Sequence, residues 1–114
     1  MEYLLLIYDG EKRWAGLSEG EMNSEMEGYG AFGKEFEGKI KGGNALQPTT
    51  TATAVRIRNG KRLTTDGPFA ETKEHLGGYY LIDAGDLDEA IAMAGKIPAA
   101  KYGTIEVRPI MKFS

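Results

Sequence analysis

Residues 3–8, Tyr3-Leu4-Leu5-Leu6-Ile7-Tyr8, make a short and almost wholly apolar run. Six residues rich in β-favouring side chains are too few for a membrane span and read as a strand buried on both faces. Asp9-Gly10 ends the run, and a loop containing Trp14 follows. Ser18 and Glu21 then stand at capping-box spacing and open a helix. Met22, Met26, Tyr29, Phe36 and Ile40, with Phe32 beside them, recur at helical spacing, opposite Glu19, Glu25, Lys34 and Lys41. Gly28, Gly30, Gly33 and Gly38 weaken that helix, so it depends on tertiary packing, and close approach of a neighbour would account for them. Gly42-Gly43 is read as its end.

Beyond the helix, Asn44 to Gln47 is a short extended piece interrupted by Pro48, and Thr49 to Thr51 is a linker or strand edge. Ala54 to Asp66 reads as a β-hairpin around Asn59-Gly60. A two-residue loop would set Val55 opposite Thr64 and Ile57 opposite Arg62. A three-residue loop with a glycine bulge sets Val55 opposite Leu63, and its better grouping of apolar side chains makes it the expected register. Asp66 to Phe69 is a turn, Gly77-Gly78 a flexible point, and Tyr79 to Asp83 a strand. Asp86 and Glu89 repeat the capping spacing, and Ile91, Ala94 and Ile97 form a stripe that Pro98 stops. Thr104 to Ile110 closes the chain as a strand. The order β-α-β-hairpin-β-α-β is an α+β fold, a ferredoxin-like split βαβ with an inserted β-hairpin. Two helices cover one face of such a sheet, and a second copy of the chain would cover the other.

With 114 residues the chain makes a single domain, residues 1–114, and self-association would add to its buried area. The net charge is −3, and no lysine/arginine cluster stands out, so no nucleic-acid footprint is expected. There are no cysteines, which excludes disulfides and thiolate chemistry and fits a reducing compartment. No apolar stretch spans a bilayer and no cleavable leader is evident, so a cytoplasmic protein without a membrane partner is expected.

The run Thr65-Asp66-Gly67-Pro68-Phe69-Ala70-Glu71-Thr72-Lys73-Glu74 resembles the signature of DGPF-type proteins within the YCII-related family. Four further blocks agree in order: Ala45 to Pro48, Leu76 to Ile82, Asp86 to Ala90 and Ile105 to Pro109. The resemblance implies a ferredoxin-like fold that pairs into a dimeric α+β barrel, with a cleft near the signature. Some relatives act as lyases or dehydrochlorinases on small aromatic compounds, through a histidine on the first helix and an aspartate after the second. This chain departs at both places, with no histidine on its first helix and Ile97-Pro98 where Asp-Pro would stand, so that pair is not carried over. The resemblance also implies a second reading, an accessory or regulatory module linked to extracytoplasmic-function sigma factors.

The residue chemistry centres on 66–74. Asp66 suits a general base or ligand acceptor, and equally an aspartate that builds a tight turn. Glu71 could move a proton and Lys73 bind an anion, although a solvated loop with weak ion pairs would look the same. Phe69 offers an aromatic wall and Gly77-Gly78 a backbone open to close approach. His75 is the only histidine. Without a second histidine or a cysteine, a metal site there would need carboxylates for the rest of its ligands, and no metal is expected; a ligand contact or an ordinary strand-edge residue is left. Tyr8 ends a strand beside the expected cleft, Tyr79 and Tyr80 point to opposite faces, and Trp14 would shield a cleft or touch a partner subunit. No cofactor motif is present. A small-molecule protein with Asp66 and Glu71 as catalytic groups, and Tyr8, Phe69, Lys73, His75 and Tyr79 around the substrate, is the leading expectation.

Overall fold

The computed structural model describes residues 1–68 and 72–113. The apolar run near the start becomes β1 (Glu2–Asp9), flanked by two antiparallel partners, β5 (His75–Asp83) and β6 (Thr104–Pro109). β2 (Ile40–Ala45) pairs beyond β5, giving a four-stranded sheet in the order β2-β5-β1-β6. Side chains alternate along β1: Tyr3, Leu5 and Ile7 are buried, whereas Leu4, Leu6 and Tyr8 are only half-buried. The expectation of a strand buried on both faces is therefore corrected, because the helices cover one face of the sheet and nothing among the described residues covers the other. On the covered face Leu5 lies between Tyr80 and Val107, and Tyr3 lies opposite Ile82.

The covering layer is α2 (Glu19–Glu35) and α3 (Leu87–Ala94), preceded by a short helix α1 (Glu11–Ala15) in place of the expected Trp14 loop. The capping box forms as read: Ser18 Oγ accepts from the Glu21 N–H, and Glu21 Oε1 accepts from the Ser18 N–H, each at 3.1 Å. α2 stops at Glu35 rather than running past Ile40. Gly38 at φ +91° turns the chain, and Ile40 enters β2 opposite Ile82. Gly42 and Gly43, read as the helix end, are strand residues facing Leu81 and Tyr80. Within α2 only Phe32 is fully buried; its ring meets Phe36 and Tyr80 at centroid distances of 5.2 and 4.9 Å. In α3 the buried stripe is Ala90, Met93 and Ala94, continued by Ile97, while Ile91 is 52% exposed. The helix read as running to Pro98 ends earlier, at Ala94 with Gly95 as its cap, and Pro98 opens a single 3-10 turn, Pro98–Lys101.

The hairpin forms from β3 (Thr53–Arg58) and β4 (Lys61–Asp66), paired only with each other. Its loop has two residues, Asn59 at φ 52° and Gly60 at φ 73°, the pairing of positive angles that a type I′ turn needs. The register is Val55 with Thr64 and Ile57 with Arg62, not Val55 with Leu63. The expected bulge rested on grouping apolar side chains. That grouping gains little in a hairpin whose faces are both exposed, so the turn geometry decides.

One glycine in α2 has a packing reason. A Cβ at Gly28 would lie 2.9 Å from Cγ of Pro98, whereas Gly30 has nothing within 4 Å. Gly28 thus lets α2 sit directly on the Pro98 turn. Gly30→Ala is expected to raise stability by about 0.5–1 kcal/mol through reduced backbone entropy. Gly28→Ala is expected to fall short of that gain by about 1–3 kcal/mol, because the proline ring must move. Urea midpoints of the two variants measure the difference.

Candidate functional site

Where β1 ends and β5 begins, the covered face of the sheet carries glycines instead of side chains. Gly78 pairs with Ile7 on one side and Ala45 on the other, and Gly43 pairs with Tyr80. A Cβ at Gly43 would lie 2.7 Å from the Tyr79 carbonyl oxygen and 2.9 Å from the Tyr80 ring; at Gly78 it would lie 3.0 Å from the Asn44 carbonyl oxygen. The strands approach so closely here that only glycine fits, and a patch of bare backbone results. α1, the middle of α2 and the segment 44–48 stand around this patch and enclose a cavity of about 670 Å³. Ile7, Trp14, Met26, Tyr29 and Tyr80 line it, while Glu11, Lys12, Gln47 and His75 bring polar groups to it. The size and the mainly apolar lining are those of a small-molecule site.

Three arrangements hold the walls. Asp9 Oδ1 accepts from its neighbour's Gly10 N–H at 2.7 Å and from Arg13 Nε at 3.2 Å, and Asp9 Oδ2 accepts from Arg13 Nη2 at 2.5 Å. The same Nη2 reaches Glu25 Oε1 at 3.1 Å, and the guanidinium lies 4.2 Å from the Tyr102 ring centroid. This cluster ties α1 to α2 and to the turn before β6, and the Asp9 bonds raise the Arg13 pKa above its ordinary value. It also commits Asp9, which is not free to act as a base. Secondly, Glu11 reaches across the cavity edge: Oε1 accepts from the Thr49 N–H at 2.7 Å and Oε2 from Thr49 Oγ1 at 2.9 Å. The Thr49 backbone bond holds the Glu11 pKa below the usual glutamate value, with a smaller contribution from nearby His75. Thirdly, burial, with Glu25 next in effect, pushes the Tyr29 hydroxyl up to about 12, and burial likewise raises Tyr80. Both tyrosines therefore stay neutral walls at physiological pH.

The expected site residues separate. His75 and Tyr79 line the cavity; His75 lies opposite Asp9 in the β1–β5 register, with Nδ1 at 3.4 Å from Thr72 Oγ1. Trp14, read as a cleft shield or a partner contact, forms part of the wall. Tyr8 is half-buried between Leu76 and Thr104 and does not line the cavity. Asp66 is exposed at the end of β4 opposite Thr53, and Lys73 is exposed; neither lines the cavity. Phe69 and Glu71 lie outside the described residues. Sequence reasoning missed Glu11, Met26, Tyr29 and Gly43 as cavity residues. One signal was present: the glycine pairs 42–43 and 77–78, read separately as a helix end and a flexible point, fall on adjacent strands, with Gly43 opposite Tyr80 and Gly78 opposite Ala45. Among the described residues no cluster of His, Cys, Asp and Glu is placed to hold a metal ion, and no helix is long and apolar enough to cross a membrane.

A family model described as the YCII-related domain matches residues 1–114. The chain belongs to the YCII-related family. A relative from Rhizobium meliloti (strain 1021), described as an uncharacterized protein, is 39% identical over 96% of this chain and 92% of its own length. Among solved structures, the YCII-related chain is similar to the 5-chloro-2-hydroxyhydroquinone dehydrochlorinase of Burkholderia phenoliruptrix AC1100, determined in complex with 2,5-dihydroxybenzoquinone. That likeness has a TM-score of 0.52 at 15% identity and covers 97% of this chain and 94% of the other. At that identity it bears on the mixed α+β fold.

The Glu11–Thr49 clasp has a pH signature. A carboxylate whose folded pKa is lowered stabilises the fold above its unfolded pKa, and that contribution disappears as pH falls through the lowered folded value. The Thr49 amide proton resonance is therefore expected to titrate with a midpoint below the ordinary glutamate range. In Glu11→Gln that titration should vanish. Heteronuclear NMR across the acid range measures both.

Proposed function

We propose that the chain binds a small, planar, ring-shaped molecule in the cavity between α1, α2 and the β2–β5 edge, with His75 as the group that exchanges a proton with it. The observation that carries this reading is the cavity of about 670 Å³ itself, whose bare glycine floor and Trp14, Tyr29 and Tyr80 walls suit a flat apolar body. An imidazole is the side chain best matched to proton exchange near neutral pH. Asp9 and Glu11 are both taken up by structural bonds, whereas His75 lines the cavity with its Nδ1 near the Thr72 hydroxyl and outside those carboxylate bonds. A lyase-like elimination extends the same reading for a ring held as its keto tautomer, with the leaving group on a tetrahedral ring carbon: the imidazole takes the proton of a ring hydroxyl, the O–H pair becomes a C=O bond, the ring double bond shifts, and the leaving group departs with the pair of its bond to carbon. The dehydrochlorinase with the same general fold, whose bound molecule is a quinone, supplies a precedent by analogy of fold.

The assembly belongs to this reading. The strand order β2-β5-β1-β6, with the hairpin set aside and both longer helices on one face, supports a ferredoxin-like split βαβ. Leu4, Leu6, Leu76, Tyr79 and Leu81 are left half-buried and suit pairing of two copies face to face as an α+β barrel. A cysteine-free chain fits a reducing, cytoplasmic setting. The competing reading, a non-catalytic module linked to extracytoplasmic-function sigma factors, calls for a flat or filled cleft, and the open cavity favours ligand binding.

Thermal unfolding against a panel of hydroquinones, catechols, hydroxybenzoates and aliphatic acids tests the proposal. A ring ligand at about a hundredfold excess over its Kd stabilises by about 2.7 kcal/mol, so Tm should rise by several degrees. Trp14→Ala and His75→Ala should lose the rise, and Asp66→Asn should keep it. Equal response to aliphatic acids, no response to any ring, or loss in Asp66→Asn would move the site away from this cavity. For the assembly, light scattering should find a dimer, with Leu6→Glu monomeric.

A further inference from the structure

The hairpin of β3 and β4 stands away from the rest of the chain. The molecule extends 47 × 47 × 18 Å with a radius of gyration of 16.1 Å, against roughly 13 Å for a compact domain of similar length. Within the arm Val55, Ile57 and Leu63 are 59%, 58% and 49% exposed. By register, Val55 and Ile57 share one face and Leu63 lies on the other. A two-stranded ribbon with both edges unpaired is marginal in water, and exposed apolar residues on both faces add to that cost.

The arm's charge is as unusual as its exposure. Four cations, Arg56, Arg58, Lys61 and Arg62, fall within residues 53–66, against the single acid Asp66, a net of 4 − 1 = +3. The whole chain is −3, so the remainder carries −3 − 3 = −6. The sequence reading that no basic cluster stands out is thereby corrected: the Asn59-Gly60 turn brings Arg58 opposite Lys61 and gathers the cations at one tip. Like charges directly opposed destabilise a strand pair unless an acidic surface meets them. The remainder supplies such surface. α2 alone carries Glu19, Glu21, Glu25, Glu27 and Glu35 against Lys34, with Glu19 and Glu27 exposed.

We propose that this arm docks on a second copy of the chain, its exposed Val55, Ile57 and Leu63 covered there and its cationic tip set against the partner copy's carboxylates. A second copy is favoured because every copy carries both halves of the complementary pair, a +3 arm and a −6 body. A phosphate backbone is disfavoured, since it would meet that acidic body around a small basic tip. The contact is distinct from the pairing of open sheet faces, and either can fail without the other.

Two measurements test it. Unlabelled and heavy-nitrogen-labelled protein are mixed and treated with a carbodiimide, which joins amines to carboxylates in contact. Crosslinks from Lys61 to an Asp or Glu of the other isotope are expected; links within one copy alone, or none, overturn the proposal. Sedimentation equilibrium is then run on the parent, on Arg58→Glu/Arg62→Glu and on Leu6→Glu, each checked for folding by circular dichroism. The charge-reversed arm is expected to weaken self-association by about tenfold or more, and salt raised from about 50 to about 500 mM should weaken the parent likewise. Parent-like association of the charge-reversed arm sinks the arm contact. Parent-like association of Leu6→Glu with a weakened arm variant sinks the sheet pairing and leaves the arm contact standing.

Discussion

The structure depends on burying one face of a four-stranded sheet under two helices of the same chain. Leu5 and Ile82 on the central strands, Met93 on α3 and Ile97 just beyond it are the largest fully buried side chains. Phe32 of α2 joins them, with Tyr80 packed against it. Full burial of such side chains is worth about 1.5–3 kcal/mol each, which is what a domain this small has to set against its conformational entropy. The helices owe their position to this contact more than to their own propensity. α2 keeps its place despite four internal glycines, Gly20, Gly28, Gly30 and Gly33, one of which is needed for seating on Pro98.

The same constraint that fixes the sheet opens the cavity. Strand pairing at Gly43 and Gly78 leaves no room for a Cβ, so the floor beneath α2 is backbone alone. Space that side chains fill elsewhere in the core is empty here. The clasp of Glu11 on Thr49 and the Asp9–Arg13–Glu25 cluster then hold α1 and the 48–51 turn around that space. Both acids are spent on architecture, and the proposed chemistry is assigned to His75 and the aromatic walls for that reason.

Much of the fold was legible because it is punctuated locally. Ser18 with Glu21, Asp86 with Glu89 and Asn59-Gly60 each mark a boundary through bonds or dihedral limits that span only a few residues, and each appears where it was read. The readings that failed depended on distant partners. Ile40 fits a helical stripe as well as a strand, and pairing with Ile82 decides for the strand. The hairpin register was argued from apolar grouping, but among the described residues no second layer rewards it. Of the residues read as site candidates, His75, Tyr79 and Trp14 line the cavity, and the signature residues Asp66 and Lys73 stand outside it.

The sequence by itself determined most of the order of elements, the caps, the place of the Asn59-Gly60 turn and the membership of the YCII-related family, since these rest on neighbours within a few positions or on patterns read along the chain. Tertiary structure alone decided where α2 gives way to β2, that Gly43 and Gly78 fall on adjacent strands where neither has room for a Cβ, and that the hairpin projects with its cations. Burial and charge act through space, and the side chains that compete for a contact here are brought together from positions as far apart as Glu11 and Thr49, or Gly43 and Tyr80.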